Sequence, residues 1–327
     1  MALLSRSRFL ACLAAGAAVL AAPAAFAQHY PDRPVKLIVP FAPGGATDIL
    51  GRLLATGLSD KLGQPVIVEN RPGAGTVVAG GIVAKAPPDG YTLFLGASTT
   101  LTHNPAIRTS LPYDPLRSFT SLGLVADMGL VLVAHNDTPG RTLQELVALT
   151  KAAPDKFSYG SYGTGSSVHF GGEMLKTATG LKAMHVPFNG SSPSLTALMG
   201  GQVQLAVDTV VATTPLIKAG KIRPIATLGG QRLPLLPQVP TVAESGYPGF
   251  HMDTWFAFLA PAGLPAPIRQ KVEKALADVM AEPALHKKLV DIGLSPAWGP
   301  GSALQERIER ELPLMRAVAA RSDIRVD

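Results

Sequence analysis

Val35-Lys36-Leu37-Ile38-Val39 runs into the turn Pro40-Phe41-Ala42-Pro43-Gly44-Gly45-Ala46, which runs into Thr47-Asp48-Ile49-Leu50-Gly51-Arg52-Leu53-Leu54. The first five residues are too few for a helix and rich in β-branched side chains, so they read as a buried strand. Proline and glycine then stop either regular element from continuing. Beyond them Ile49, Leu50, Leu53, Leu54 and Leu58 recur at the spacing of one helical side, which predicts a helix starting near Thr47 or Asp48. A strand feeding a helix through a glycine turn is the repeating unit of α/β layers.

The unit recurs along the chain. Val66–Glu69 reads as a second strand followed by the loop Asn70-Arg71-Pro72-Gly73-Ala74-Gly75, and Tyr91–Ala97 as a third ending in Ser98-Thr99-Thr100. A second series opens near Gly129, with Leu130–Ala134 a short buried strand and Thr142 with Glu145 a capping box for the next helix. Phe157–Ser161 and Met184–Pro187 read as further strands, each leading into a turn of glycine and serine. A helix is expected from Ser192, with Pro193 at its first position and Gly200-Gly201 at its end. Val203, Leu205 and Val207 then alternate as a strand that delivers Asp208 to its tip. From Trp255 the pattern returns to long amphipathic helices, carried by Ile268, Val272, Leu276 and Val279. Ser302 with Gln305 spells another capping box, and Pro313 is expected to kink or end the last helix.

Residues 1–27 are of a different kind. Arg6 and Arg8 precede an apolar stretch from Phe9 to about Ala22, and Ala25-Phe26-Ala27 follows, the order of a secretory signal with its cleavage site. Pro23 breaks the run short of the ~20 apolar residues that span a bilayer, so export and cleavage before Gln28 are expected rather than a membrane anchor. Cys12, the one cysteine of the 327 residues, would leave with the signal. That removes disulfides, thiolate nucleophiles and Cys-bound metals from the mature chain. Residues 28–327 exceed one typical core, and ~100–200 residues per domain predicts two lobes. The formal charge of +6 loses two units with Arg6 and Arg8, and the remaining Lys and Arg are scattered among acids. Nucleic-acid binding, which wants basic residues in a stripe with aromatics between them, is not indicated. No later stretch is long and apolar enough to insert into a membrane.

Three loops share one chemistry: Pro43-Gly44-Gly45-Ala46-Thr47-Asp48, Gly160-Ser161-Tyr162-Gly163-Thr164-Gly165-Ser166-Ser167 and Asn189-Gly190-Ser191-Ser192-Pro193. Each sets small residues and hydroxyls before a helix, whose first turn carries unbonded N–H groups and about half a positive charge. An anion such as a carboxylate is welcome there without any arginine. Any one of these loops alone is an ordinary β–α turn; three together point to a site.

At the same places the chain resembles the Bug-type receptors, the periplasmic solute-binding proteins of tripartite tricarboxylate transporters. The matching stretches are Tyr30-Pro31-Asp32-Arg33-Pro34, Val39 to Gly45 with Asp48, Asn70 to Gly75, Pro88-Asp89-Gly90-Tyr91-Thr92-Leu93, Tyr159-Gly160-Ser161 through Gly165-Ser166 with His169 and Glu173, Val186-Pro187-Phe188 with Gly190, Gly200-Gly201-Gln202-Val203, and Val239 to Gly246. They follow the family's order over nearly the whole mature chain. The resemblance implies a type II periplasmic-binding-protein fold of two α/β lobes with a ligand cleft and crossing strands, with residues 28–128 and 254–327 in one lobe and 129–253 in the other. It implies a monomeric receptor in the periplasm that captures a small carboxylate (a di- or tricarboxylate, an amino acid or an aromatic acid) for membrane permease subunits, with no cofactor or metal. Carried residue by residue, Phe41, Ala42, Gly44, Gly45 and Asp48 would form the first-lobe wall and Ser98 and Thr99 would add hydroxyls. Ser161, Thr164, Gly165 and Ser166 would clamp from the second lobe, while Asn189 and Asp208 would read the far end of the ligand.

The chain departs from the family pattern at Thr76, where glycine is usual, at Tyr162 between Ser161 and Gly163, at Thr209 beside Asp208, and at Phe188-Asn189. These bear on ligand identity; a Tyr162 ring facing the cleft would favour a flat or aromatic acid. Asp48 and Asp208 also suit plain helix or turn capping. His169 and Glu173, four apart on a helix, lack the third and fourth ligands that a zinc site wants. No G-x-S-x-G, G-x-x-x-x-G-K-[ST] or H-E-x-x-H motif occurs and Val78 breaks the Rossmann spacing, so no catalytic residue is assigned. A hydrolase or lyase acting on a small organic acid, and a receptor serving a membrane signalling system, stand as the alternative readings.

Overall fold

The computed structural model describes residues 30–188 and 190–326. The signal expected over residues 1–27, with Cys12, and also Asn189 lie outside the described residues. The chain begins β1 (Val35–Val39), α1 (Ala46–Leu62), β2 (Val66–Asn70), α2 (Val77–Ala84), β3 (Thr92–Ala97), a π-helical turn (Thr99–His103) and α3 (Asn104–Ile107). It continues through β4 (Phe119–Ala134), α4 (Leu143–Ala152), β5 (Ser158–Ser161), α5 (Ser167–Thr179), β6 (Met184–Pro187), α6 (Ser191–Met199), β7 (Leu205–Thr209), α7 (Val210–Lys218) and β8 (Arg223–Thr227). Then come β9 (Asp253–Pro261), α8 (Ala266–Met280), α9 (Pro283–Asp291), β10 (Leu294–Pro300) and α10 (Gly301–Arg321).

β4 belongs to two sheets in succession. Over residues 119–129 it lies antiparallel between β9 and β10, and over residues 130–134 antiparallel between β7 and β8. One lobe therefore has the strand order β2-β1-β3-β9-β4-β10 and the other β6-β5-β7-β4-β8, the same order over five strands with β10 added at the edge of the first, each with one strand contributed by a crossing segment. That repeated order is the type II arrangement that the resemblance implied. Leu37 and Val39 pack on one side of the first sheet while Ile38 packs on the other, and β9 alternates Phe256, Phe258 and Ala260 against Trp255, Ala257 and Leu259 in the same way. Helices α1, α8 and α9 cover one face and α2 and α10 the other, so the strands are buried on both sides. Leu50, Leu54 and Leu58 of α1 are fully buried, each contributing about 1.5–3 kcal/mol by leaving water.

Several expectations need correction. β4 starts at Phe119 rather than Leu130; its first half carries Thr120, Ser121 and Gly123 and two register shifts against β9, which obscure any alternation. Residues 253–261 form a central strand, not the start of helices, because burial on both faces replaces alternation with a continuous apolar run. Ile49 is exposed, at 36%, one position off the buried stripe. Helix α6 starts at Ser191, which makes Pro193 its third residue, still within the turn that needs no intrahelical donor. Ser302 lies inside α10 instead of capping it; β10 runs directly into that helix at Pro300 with no side-chain cap. Pro313 sits within α10 without ending it. Thr142 does cap α4 by accepting the Glu145 N–H, but Glu145 returns its bond to Arg141 N.

β4 and β9 are fastened by one half-buried cation. Arg307 of α10 donates to Asp127 on β4 at 2.8 Å, to Asp253 on β9 at 2.9 Å and to Glu311 at 2.7 Å, and Glu311 also accepts the Trp255 indole N–H. A third connection lies at the end of the chain: Met315, Ala319 and Ile324 join Ile107 in the apolar cluster of the second lobe, and Val326 N donates to Ile107 O.

Candidate ligand cleft

Strand direction sets where the loops meet. β1, β2 and β3 run parallel to the first part of β4, toward the second lobe; β5, β6 and β7 run opposite to β4, toward the first. The carboxyl ends of both sets thus face each other across the crossing, and so do the N-termini of α1, α2, α5, α6 and α7 that follow them. Each presents amide N–H groups and the positive end of its dipole to the seam. Side-chain contacts close one side of it: His103 stacks on Phe170 of α5 with centroids 4.8 Å apart, and Ile107 packs on Gly165.

On the first-lobe side Ala42, Pro43, Gly44 and Gly45 are exposed and Phe41 is half-buried. Gly44 takes φ 88°, which costs glycine nothing, and a Cβ on Gly45 would meet nothing closer than 4.0 Å. Asp48 is buried beneath this loop. Its Oδ2 accepts from Gly44 N at 3.0 Å and from Arg52 Nε at 2.9 Å, and its Oδ1 from Asn70 Nδ2 at 2.9 Å, while Asn70 also donates to Phe41 O. Burial pushes the Asp48 carboxyl up, but the bonds from Arg52, Gly44 and Asn70 outweigh it and leave it below the ordinary carboxylate value. Ser98 is fully buried and shares a 2.7 Å hydrogen bond with Thr254 on β9, whereas Thr99 is half-buried.

Between these walls lies a turn that sequence reasoning passed over. Ala74, Gly75 and Thr76 have φ of 45°, 62° and 80°, a left-handed run in which a β-branched residue is unusual. Thr76 is held there by its hydroxyl, which accepts from Thr100 Oγ1 at 2.9 Å and Asn104 Nδ2 at 3.3 Å; Asn104 also donates to Gly75 O. The only sequence signal was Thr76 itself, out of place in a glycine run.

On the second-lobe side Thr164 is exposed, while Ser161 and Gly165 are buried. Ser166 caps α5 by accepting His169 N and donates to Gly163 O at 2.6 Å. Ser161 Oγ accepts from Gly163 N and lies 2.7 Å from His185 Nε2. Asp208, at the tip of β7, is fully buried; Oδ1 accepts from Thr209 N and Oδ2 from Ser191 Oγ, both at 2.7 Å. Burial raises its carboxyl to about 6 against those bonds. The Tyr162 ring packs on the second-lobe cluster and its hydroxyl shares a 2.7 Å bond with Ser167. Glu173 accepts from Tyr159 and Lys176, and His169 is turned to the loop instead. Among the described residues no three His, Cys, Asp or Glu side chains group as a metal site. A depression of about 600 Å³ lined by Thr120, Arg269, Glu273, Trp298 and Gln305 lies at the far end of β4 from the seam.

A family model described as "Tripartite tricarboxylate transporter family receptor" matches residues 50–318. The chain belongs to this receptor family. It is 36% identical over 278 residues to the protein BugT of Bordetella pertussis, covering 85% of each chain. Among solved structures it is similar to R. palustris Rpa4515 with adipate, at TM-score 0.82 and 35% identity over 90% of this chain and 99% of that one. It is also similar to MatC from Rhodopseudomonas palustris with bound malate, at TM-score 0.77 and 32% identity over 88% and 99%. The receptor is thus a solute-binding protein of a family of periplasmic receptors. Among its described residues no helix is long and apolar enough to cross a membrane.

Proposed function

We propose that this receptor, freed of residues 1–27 and working in the periplasm as a monomer, closes two lobes (28–128 with 254–327, and 129–253) over a small carboxylic acid and hands it unchanged to permease subunits. The observation that carries this is the convergence of helix N-termini from both lobes on one seam crossed by β4 and by the segment that leads into β9. Fixed amide dipoles hold a carboxylate at no cost in side-chain ordering, and the relatives with adipate and malate support that ligand class. Ala42, Gly44, Gly45, Thr99, Thr164 and Ser166 supply the open surface, with Phe41 at its edge. Asp48, Ser98, Ser161, Gly165 and Asp208, buried and already hydrogen-bonded or packed, shape it from behind.

The test is a thermal-shift screen of the mature protein against mono-, di-, tricarboxylic and aromatic acids, adipate and malate among them, beside their neutral amides. A ligand at a hundred times its dissociation constant adds about 2.7 kcal/mol, several degrees for a chain of this size. Acids should shift the midpoint and be recovered intact. A shift by the amides alone, or conversion of the acid, would overturn the reading.

A further inference from the structure

Two histidines hold the second-lobe loop from behind. His169, in the first turn of α5, and His185, on β6, lie face to face with ring centroids 3.8 Å apart and planes 12° apart. His169 commits one ring nitrogen to the loop between β5 and α5, and His185 one to the last residue of β5, where that loop starts. His169 Nδ1 accepts the Gly165 N–H at 3.1 Å, which only an unprotonated nitrogen can do, so its proton sits on Nε2. Ser161 Oγ already receives the Gly163 N–H; its own proton has His185 Nε2 at 2.7 Å and Gly163 O only at 3.4 Å, so it goes to the imidazole. Gly165 is pinned from its other side by Ile107 of the first lobe, so a change in its amide is felt across the seam.

We propose that His169 and His185 are positioning residues that keep the Ser161-to-Ser166 loop in its ligand-holding shape only while both imidazoles are neutral, so that acid loosens this wall and weakens capture. The proposal rests on the reading of that loop as one wall of the cleft. A proton on His169 Nδ1 would set N–H against N–H at Gly165, and a proton on each ring would stack two cations. The titratable groups that reach the pair, among the described residues, are Glu173 and Lys176 on α5 and Tyr159 on β5. Glu173 and Lys176 are paired at 2.9 Å, and Tyr159 donates to Glu173, so neither ring has a carboxylate of its own to hold a proton. Burial accordingly lowers His169 and His185 to about 4 each.

Two measurements separate this device from the capture it serves. In the ligand-free mature protein, imidazole and amide nitrogen resonances are followed from about pH 7.5 to pH 3.5, with near-UV circular dichroism as the check on folding. His169 is expected as the Nε2–H tautomer, with the Gly165 amide moving as the rings titrate well below the ordinary 6.5. An Nδ1–H tautomer, or a Gly165 amide that stays still while His169 titrates, overturns the proposal. In parallel, calorimetry with adipate and malate compares wild type with His169→Asn, whose carbonyl supplies an acceptor that does not titrate at the Nδ1 place. The acid's own protonation is common to both proteins; at about pH 4 two rings near 4 leave about a quarter of wild-type receptors with the loop held and the variant's one ring leaves about half, so the wild type should lose about twofold more affinity than the variant. Equal losses overturn it too. If neither acid nor any other in the screen binds at neutral pH, the capture reading fails, and the resonances alone then decide on the histidines.

Discussion

Replacing Asp48 by asparagine tests whether the first-lobe loop is held from within. The carboxylate receives three hydrogen bonds. That from Arg52 is worth little, because the guanidinium is 56% exposed and finds water when released. Those from Gly44 N and Asn70 Nδ2 end on a carboxylate that is 4% exposed, and bonds to a charged group there are worth about 1.5–3 kcal/mol each. An amide keeps one acceptor and turns a donor toward the others, so one of the two buried bonds fails and the variant should lose about 2 kcal/mol. For a chain of this length that is a fall in the thermal midpoint of about 3–6 °C. Urea unfolding at neutral pH reads the loss directly, and hydrogen exchange at Gly44 shows whether the loop has opened. Arg52→Ala is the internal control and should cost much less than Asp48→Asn, because the guanidinium it removes is already solvated. The wild-type contribution is full above the ordinary carboxylate value and disappears as pH falls through the lower, folded value, so the gap between wild type and variant should close in acid. A variant within about 0.5 kcal/mol of wild type at neutral pH, with Gly44 still protected, would refute this account of the loop.

Gly45→Trp should abolish acid binding while leaving the unfolding midpoint almost unchanged, because Gly45 has φ −82°, open to any residue, and faces free space. Retained affinity by calorimetry would place the ligand elsewhere. His103 is fully buried with Nδ1 unpartnered, and burial lowers it to about 3. It stays neutral in the folded chain while the unfolded chain takes up a proton below about 6.5. Stability is therefore full above that value and falls as pH drops, by about 1.4 kcal/mol per pH unit for this one group. His103→Leu should flatten the slope of urea stability between about pH 6 and pH 4.5 by that amount, and parallel slopes would count against it.

The elements easiest to read were those bounded by chemistry. Val35–Val39 starts and ends where the apolar run meets its prolines, and Met184–Pro187 is likewise bounded as read. Trp255 to Ala260 escaped because a strand covered on both faces has no polar partner positions to betray its period. The loops announced themselves through glycine and hydroxyls, but what holds them did not. Asp48 finds Asn70 22 residues away, Ser161 finds His185 24 away, and Thr76 finds Thr100 and Asn104 across a strand. Such pairings exist only once parallel strands have been laid side by side, and no local spacing encodes them.

Two strands alone would let the halves both bend and twist. The end of α10 and the residues after it, Met315, Ala319 and Ile324, pack with Ile107 into the second lobe's apolar cluster and give a third point of attachment. A third fastening added to the strands leaves fewer ways for the halves to move than the strands alone would. The molecule should therefore behave like a book bound along its spine and stapled once more, with less freedom to wring.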